Sequence, residues 1–379
     1  MIKKLKLVNF RNFKAKTLDF SDKVTVIVGP NASGKTNILE SLFLLSTGKS
    51  FKARIESETI QHSSDIARII GNTSNESSIS NTQLEVVQTR GENGWPRKKL
   101  LVNGVPKRLI DFAGNFRTVL FGPWDMDIVT ESPSLRRRFL DTVLSQVDRE
   151  YRRSILSYEK GLRQRNRVLW TMREYPTGSS GRDKLLFWNQ LLIKNGNYIT
   201  EARENFIDFC NSHQSQVTSH YSLEYDRSLI SEGRLEQYKE EEIAAATTLV
   251  GPHRDDFIFL KSNTSNKSNT GNIGRELASF GSRGEQRMGI LWLKMAELDY
   301  IEKCSTLDST PSADLSSLTI RRSADSRPTL LLDDIFSELD HEHREVVMQI
   351  SKKQQTIITT ADPHFVSNLK KVERIELLR

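Results

Sequence analysis

The chain has 379 residues, 27% of them charged and 8% aromatic, a balance that suits a soluble globular protein of two domains, or of one domain carrying a large insertion. The net charge of +7 favours a polyanionic partner, and two distant cysteines, Cys210 and Cys304, exclude a disulfide framework and a zinc site. Met1–Val8 alternates like a strand rather than a signal peptide, and no apolar run approaches the roughly 20 residues of a membrane span, so a reducing, cytoplasmic protein without a membrane partner is expected.

Residues 2–28 read as two or three strands, interrupted by a turn-like Asn9-Phe10-Arg11-Asn12-Phe13. This turn either packs or brings Arg11 to a ligand held by the next segment. Gly29-Pro30-Asn31-Ala32-Ser33-Gly34-Lys35-Thr36 fits G-x-x-x-x-G-K-[ST], between the apolar strand Val24–Val28 and a helical run Asn37–Leu45. Such a loop aims backbone N–H groups and a helix N-terminus at phosphates, sends Lys35 to the β and γ positions, and offers Thr36 to Mg²⁺. Asn72–Gln83, rich in Ser and Asn, reads as a loop; segments 84–88 and 99–102 flank Gly91-Glu92-Asn93-Gly94 as a hairpin, and Asn103-Gly104 is a second tight turn. An antiparallel sheet beside the nucleotide loop follows from this.

After the strand Thr118–Phe121 and Gly122-Pro123 the pattern changes to long helices. Leu140, Leu144, Val147, Tyr151, Ile155, Tyr158 and Leu162 form one seam, and Leu185, Trp188, Leu192, Ile199, Ala202, Phe206 and Phe209 form another. With Pro176, Gly178 and Gly181 between them, they predict an antiparallel helical hairpin. The first helix is rich in cations, from Arg136, Arg137 and Arg138 to Arg167. They either track a phosphate backbone, with Arg149, Arg152, Arg153 and Arg163 as contacts, or form a solvated face; Arg136–Arg138 alternatively pair with acids of the nucleotide domain. Strand character returns at 249–259, whereas 261–274 and 305–326 read as polar insertions.

Pro328–Asp334 is a buried strand ending in two carboxylates, the place where open α/β sheets put ligands. With the upstream phosphate loop, Asp333 becomes a Mg²⁺ residue and Asp334 the group that polarises the attacking water. Phe280–Arg287 places Ser282 and Gly284 at the start of another helix, a second phosphate-binding geometry.

The loop Gly29–Thr36 with Asn37, the Ser282-Arg283-Gly284-Glu285-Gln286-Arg287 loop, Leu330–Asp334, and Ser337-Glu338-Leu339-Asp340 resemble the Walker A, signature, Walker B and D-loop of ABC-type ATPases. More closely, the whole chain resembles the RecF family of bacterial recombination and gap-repair proteins, related to SMC ATPases. The most specific stretches are Asn9–Asn12, Glu131–Asp141, Leu249–Asp256 and Asp333–Asp340. The resemblance implies an α/β, ABC-type ATPase head with a mixed sheet, an antiparallel subdomain and an inserted helical lid: ATPase halves 1–122 and 248–379, and a lid at 123–247. It implies ATP and Mg²⁺ as cofactors and a head-to-tail homodimer in which Ser282 and Gly284 close on the partner's nucleotide. It further implies binding of double- and single-stranded DNA at gap junctions, and RecO and RecR as partners in RecA loading.

Glu285 stands where the family more often has Gln, Thr360 where ABC ATPases generally have a switch histidine, and Trp124 where RecF proteins commonly have a carboxylate; no Gln-loop glutamine follows Phe121. These departures predict slow hydrolysis. A transporter nucleotide-binding subunit needs that Gln-loop and a coupling surface, and a fused nuclease needs a further acidic domain.

Overall fold

The computed structural model describes residues 1–75, 78–91, 96–175, 181–213, 220–262, 274–307, 327–337, 339, 341–362, 364 and 372–377. Pro176, Gly178, Glu338, Asp340 and most of the two polar insertions lie outside them. The chain divides into two compact units, Met1–Asp125 with Glu297–Arg379, and Met126–Ala296.

The first unit begins with β1 (Ile2–Phe10) and β2 (Phe13–Asp19), followed by β3 (Val24–Val28), α1 (Lys35–Thr47), β4 (Ile66–Asn75), β5 (Ser78–Thr89), β6 (Arg97–Val102), β7 (Val105–Lys107), α2 (Leu109–Phe112) and β8 (Thr118–Phe121). An antiparallel sheet runs β2-β1-β4-β5-β6-β7. Asn103 and Gly104 both have positive φ, 51° and 77°, as the tight turn between β6 and β7 requires. Residues 72–75 and 78–83 are strand rather than loop: Asn72 pairs with Gln83, Thr73 with Thr82 and Asn75 with Ser78, so β4 and β5 extend into the polar stretch, of which residues 76 and 77 lie outside the described residues. Backbone pairing needs no apolar side chain where a hairpin extends beyond the core, which is why composition misread it.

The second unit holds α3 (Asp127–Thr130), α4 (Pro133–Val147), α5 (Arg149–Glu174), α6 (Gly181–Ser212), β9 (Tyr221–Asp226), α7 (Glu232–Gln237), α8 (Lys239–Ala245), β10 (Asp256–Lys261), β11 (Arg275–Glu276), α9 (Leu277–Phe280) and the start of α10 (Arg283–Leu307). The first apolar seam is two helices rather than one: Asp148 is extended (φ −119°, ψ 112°) and its carboxylate caps α5 by accepting from the N–H groups of Glu150 and Tyr151. α5 and α6 run antiparallel, since Arg165 meets Asn189, Gly161 meets Leu191 and Leu192, and Tyr151 meets Arg203. A Cβ at Gly161 would stand 2.6 Å from Leu191, so glycine sets how closely the helices approach. Segment 248–296 shares this unit, with β10 paired to β9 and β11.

The chain returns to the first unit with β12 (Thr329–Asp333), α11 (His341–Ser351), β13 (Thr356–Thr360) and β14 (Glu373–Glu376), forming a parallel sheet in the order β14-β3-β13-β12-β8. β12, β13 and β8 are buried along their whole length, as expected of parallel strands covered on both faces. The core joins Ile38, Leu39 and Leu42 of α1 to Leu5, Ile69 and Leu84 of the antiparallel sheet and to Ile27, Leu331 and Ile357 of the parallel one. This α/β architecture with a mixed set of sheets is the class expected from the sequence.

Candidate functional site

The register of the parallel sheet assembles the site: Val28 lies beside Thr360, and Thr359 beside Asp333, so the loop after β3 and the carboxylates after β12 share one sheet edge. That loop turns back through Ala32 (φ 66°) and Gly34 (φ 100°) into α1. A Cβ on Gly34 would lie 2.6 Å from the Phe13 ring and 2.7 Å from the Asn12 amide; one on Gly29 would lie 2.9 Å from the Leu377 carbonyl. Glycine is therefore required at both ends.

α1 has no side-chain cap and no acid in its first turn, which leaves its leading N–H groups and positive dipole end to an anion. Lys35 Nζ donates to the Gly29 and Pro30 carbonyls at 2.7 and 3.0 Å, and Ser33 Oγ is buried with no partner among the described residues. Asn12 donates to the Ser33 carbonyl at 3.2 Å and accepts from Asn37 at 2.9 Å, tying the β1–β2 turn to the loop. An ammonium, free helical N–H groups and a partnerless buried hydroxyl make a donor set that suits a triphosphate.

Thr36 Oγ1 donates to Asp333 Oδ2 at 2.7 Å, and the Thr359 hydroxyl donates to the other carboxylate oxygen. Hydroxyl and carboxylate thus sit side by side as Mg²⁺ ligation on a nucleotide requires. No group of three or more His, Cys, Asp or Glu side chains suited to a metal occurs among the described residues, so an ion here would draw its remaining ligands from phosphate and water. Asp334, at φ 49°, has its carboxyl pushed up by burial, against the opposing pull of the Ala361 backbone and the Lys35 ammonium. A carboxylate so perturbed beside a phosphate loop suits proton transfer.

Arg11 pairs within the fold. Its guanidinium makes a two-pronged pair with Glu40, at 2.8 and 2.6 Å, and donates to the Glu58 carbonyl; the Glu40 carboxylate is fully buried. Phe10 is buried in the core and Phe13 packs against it. Thr360, at the switch position, is buried and bonds the Asp362 backbone; Trp124 stacks on Phe51 with ring centroids 4.9 Å apart.

Ser282 and Gly284 lie in the second unit. Ser282 and Glu285 cap α10 reciprocally, Ser282 N–H donating to Glu285 Oε2 at 2.7 Å and Glu285 N–H to Ser282 Oγ at 3.3 Å. Glu285 also accepts from Lys261 at 2.6 Å, and hydrogen bonds from Lys261 and the Ser282 backbone hold its carboxyl down at about 2. A Cβ on Gly284 would meet nothing within 4 Å.

The cations of the helical segment separate by burial. Arg136 pairs with Asp256 at 2.6 and 2.9 Å, Arg137 donates to the Asp255 carbonyl, and Arg165 is buried on Glu242 at 2.6 Å. Arg152 donates to the Ser145 carbonyl, while Arg149, Arg153 and Arg163 are exposed. Within Pro252-His253-Arg254-Asp255, His253 and Asp255 brace the unit internally, whereas Arg254 is exposed. Asp255 accepts from Arg203, Tyr225 and Ser228, and His253 lies between the Tyr158 hydroxyl and the Thr248 carbonyl. Burial lowers the His253 imidazole to about 4. Glu40, Asn12 and Thr359 are the site-supporting residues that sequence reasoning missed. Asn12 stood inside a singled-out turn, whereas Glu40 and Thr359 gave no local signal.

The RecF/RecN/SMC N terminal domain family matches residues 1–378. The DNA replication and repair protein RecF of Thermomicrobium roseum is 31% identical over 419 residues, covering 100% of this chain and 98% of its own. Two solved structures of the recombination mediator protein RecF in the RecFOR pathway superpose with TM-scores of 0.80. The ATPrS form is 28% identical (99% of this chain, 96% of that one), and the ATP form is 29% identical (97% and 93%). On the phosphate loop, the paired carboxylate and this full-length agreement, the chain belongs to the RecF family of the RecF/RecN/SMC ATPases.

Proposed function

We propose that this protein is an ATP-dependent DNA-binding protein of replication and recombinational repair, in which ATP binding joins two copies head to tail into a clamp on DNA and slow hydrolysis releases it. The juxtaposition of Thr36 and Asp333 beside the Lys35 loop carries the reading. Lys35 and the α1 N-terminus bind the phosphates, and a bound Mg²⁺ would supply charge neutralisation for them. Thr36 and Asp333 would hold the ion, Thr359 orients Asp333, and Asp334 accepts a proton from the attacking water. Ser282 and Gly284 of a second copy close the site; Gly284 has open space around it, and Ser282, whose Oγ accepts from the Glu285 N–H, keeps its O–H to donate to phosphate. The reading assigns segments 1–122 and 248–379 to the ATPase and segment 123–247 to a lid. RecO and RecR are the partners this reading assigns, in the cytoplasm.

Sedimentation tests it, with no nucleotide, with ADP, and with ATP plus Mg²⁺, each with and without a fluorescent gapped duplex. A dimer that appears with ATP, carries the DNA and is lost in Lys35→Ala supports the clamp. A monomer throughout, or DNA-independent turnover of tens per second within the ordinary enzyme range of about 1 to 1000 per second, rejects it. A transporter subunit finds no support in the geometry, since Gly122 and Asp125 close the turn after β8 by a backbone-to-carboxylate bond and no Gln-loop follows.

A further inference from the structure

The outward face of α5 carries Arg153, Lys160, Arg163 and Arg167, all exposed, at spacings of seven, three and four that keep one side of a helix. Tyr151, Ser154, Tyr158, Gly161, Arg165 and Leu169 are buried on the other side. Arg153 faces Glu150 at 3.4 Å in a solvated pair, whereas Lys160, Arg163 and Arg167 have no ion pair among the described residues. The stripe leads to the far end of α5, where large aromatics stand in water: Trp170 is 47% exposed, Tyr175 64%, and Phe187 on the facing helix α6 58%. Between the helix ends runs a groove of about 690 Å³. Val168, Trp188, Tyr175 and Phe187 supply its apolar surface, Arg167 and Lys184 its cations, and Asp183 a carboxylate.

We infer that this end of the helical hairpin binds single-stranded DNA, with phosphates on the α5 stripe and unpaired bases stacked against Tyr175, Phe187 and Trp170. A cation track joined to exposed aromatic rings is the combination that single strands need, because an unpaired base offers its π-face and a duplex does not. A second copy of this chain would oppose the same positive stripe to itself, and a protein partner would find unpaired cations where interface cores exclude them. The inference rests on the DNA-binding reading above and adds which part of the chain takes the single-stranded side.

The test measures binding of a fluorescein-labelled oligo-dT of about 16 nucleotides, the upper site size of a small single-strand binder, and of a blunt duplex of equal length to the full chain. The same measurements are made on Tyr175→Ala/Phe187→Ala and on Arg163→Ala/Arg167→Ala. The aromatic pair is expected to weaken oligo-dT binding about tenfold, as loss of base stacking does, with duplex binding and ATP-dependent sedimentation unchanged. The arginine pair weakens oligo-dT and reduces its salt dependence. Photocrosslinks from 5-iodouracil should fall within residues 167–175 and 183–188. Equal weakening of both DNAs, no weakening, or crosslinks confined elsewhere overturns the inference. A wild-type chain that binds duplex but not oligo-dT overturns this inference alone, and one that binds neither overturns the DNA-binding reading with it.

Discussion

Arg11 shows how a residue next to a phosphate loop serves the fold. Its partner Glu40 is fully buried, and an isolated buried carboxylate is costly, so removing the guanidinium leaves a charge that water cannot reach. Arg11→Ala should destabilise the protein by about 3 kcal/mol, with Arg11→Ala/Glu40→Gln recovering part of the loss in urea unfolding. Unchanged stability with a large drop in ATP affinity would make Arg11 a nucleotide ligand instead. His253 gives a pH signature. Its neutral ring accepts from Tyr158 and donates to Thr248, and burial holds it at about 4 against 6.5 when unfolded. The unfolded chain therefore takes up this proton first as pH falls from 6.5 towards 4, and stability declines across that window with no further contribution below it. His253→Asn should lose stability at pH 7.5 and show a shallower decline between pH 6.5 and 4 than the parent; parallel profiles would show that this imidazole stays unlinked to folding. The charge on Arg136, Arg165 and Arg203 was plain in the sequence, but their burial on acids distant in the chain was not.

At the scale of elements, helix ends and close approaches decide more than apolar periodicity. The seam from Leu140 to Leu162 reads as continuous because its spacing hardly changes, yet Asp148 caps a new helix there. The box Ser282–Glu285 has the S-x-x-E form and was legible, although its Lys261 anchor on β10 was not. Ser282→Ala should cost about 1 kcal/mol through loss of the α10 cap, and should abolish ATP-dependent dimerisation even where the variant stays folded by circular dichroism. Retained dimerisation would remove Ser282 from the composite site. Gly251 has φ 124°, and a Cβ there would lie against the Tyr158 hydroxyl that bonds His253. Gly251→Ala should lower stability by about 1–3 kcal/mol in thermal unfolding, the range for a side chain held in a disfavoured backbone region. An unchanged melting temperature would mean that the turn relaxes freely.

For the whole molecule, the excess of seven positive charges is uneven: much of the arginine content of the second unit is consumed internally, and an exposed remainder follows one face of α5. If that face contacts phosphates, replacing Arg153, Lys160, Arg163 and Arg167 together should reduce the slope of log affinity against log salt for oligo-dT by about 3, near 0.7 per contact. An unchanged slope would move the phosphate contacts elsewhere. The sequence alone determined the nucleotide chemistry, because G-x-x-x-x-G-K-T and the paired aspartates are local patterns whose function lies in backbone and side-chain type. It also determined the α/β class and the helical hairpin, which periodicity reports directly. Tertiary structure decided the rest: that Thr359 lies against Asp333, that Glu40 claims Arg11, that a polar stretch continues as strand, and which cations remain in water. Those outcomes depend on strand register and on burial between segments far apart in the chain, and no local pattern of residues encodes them.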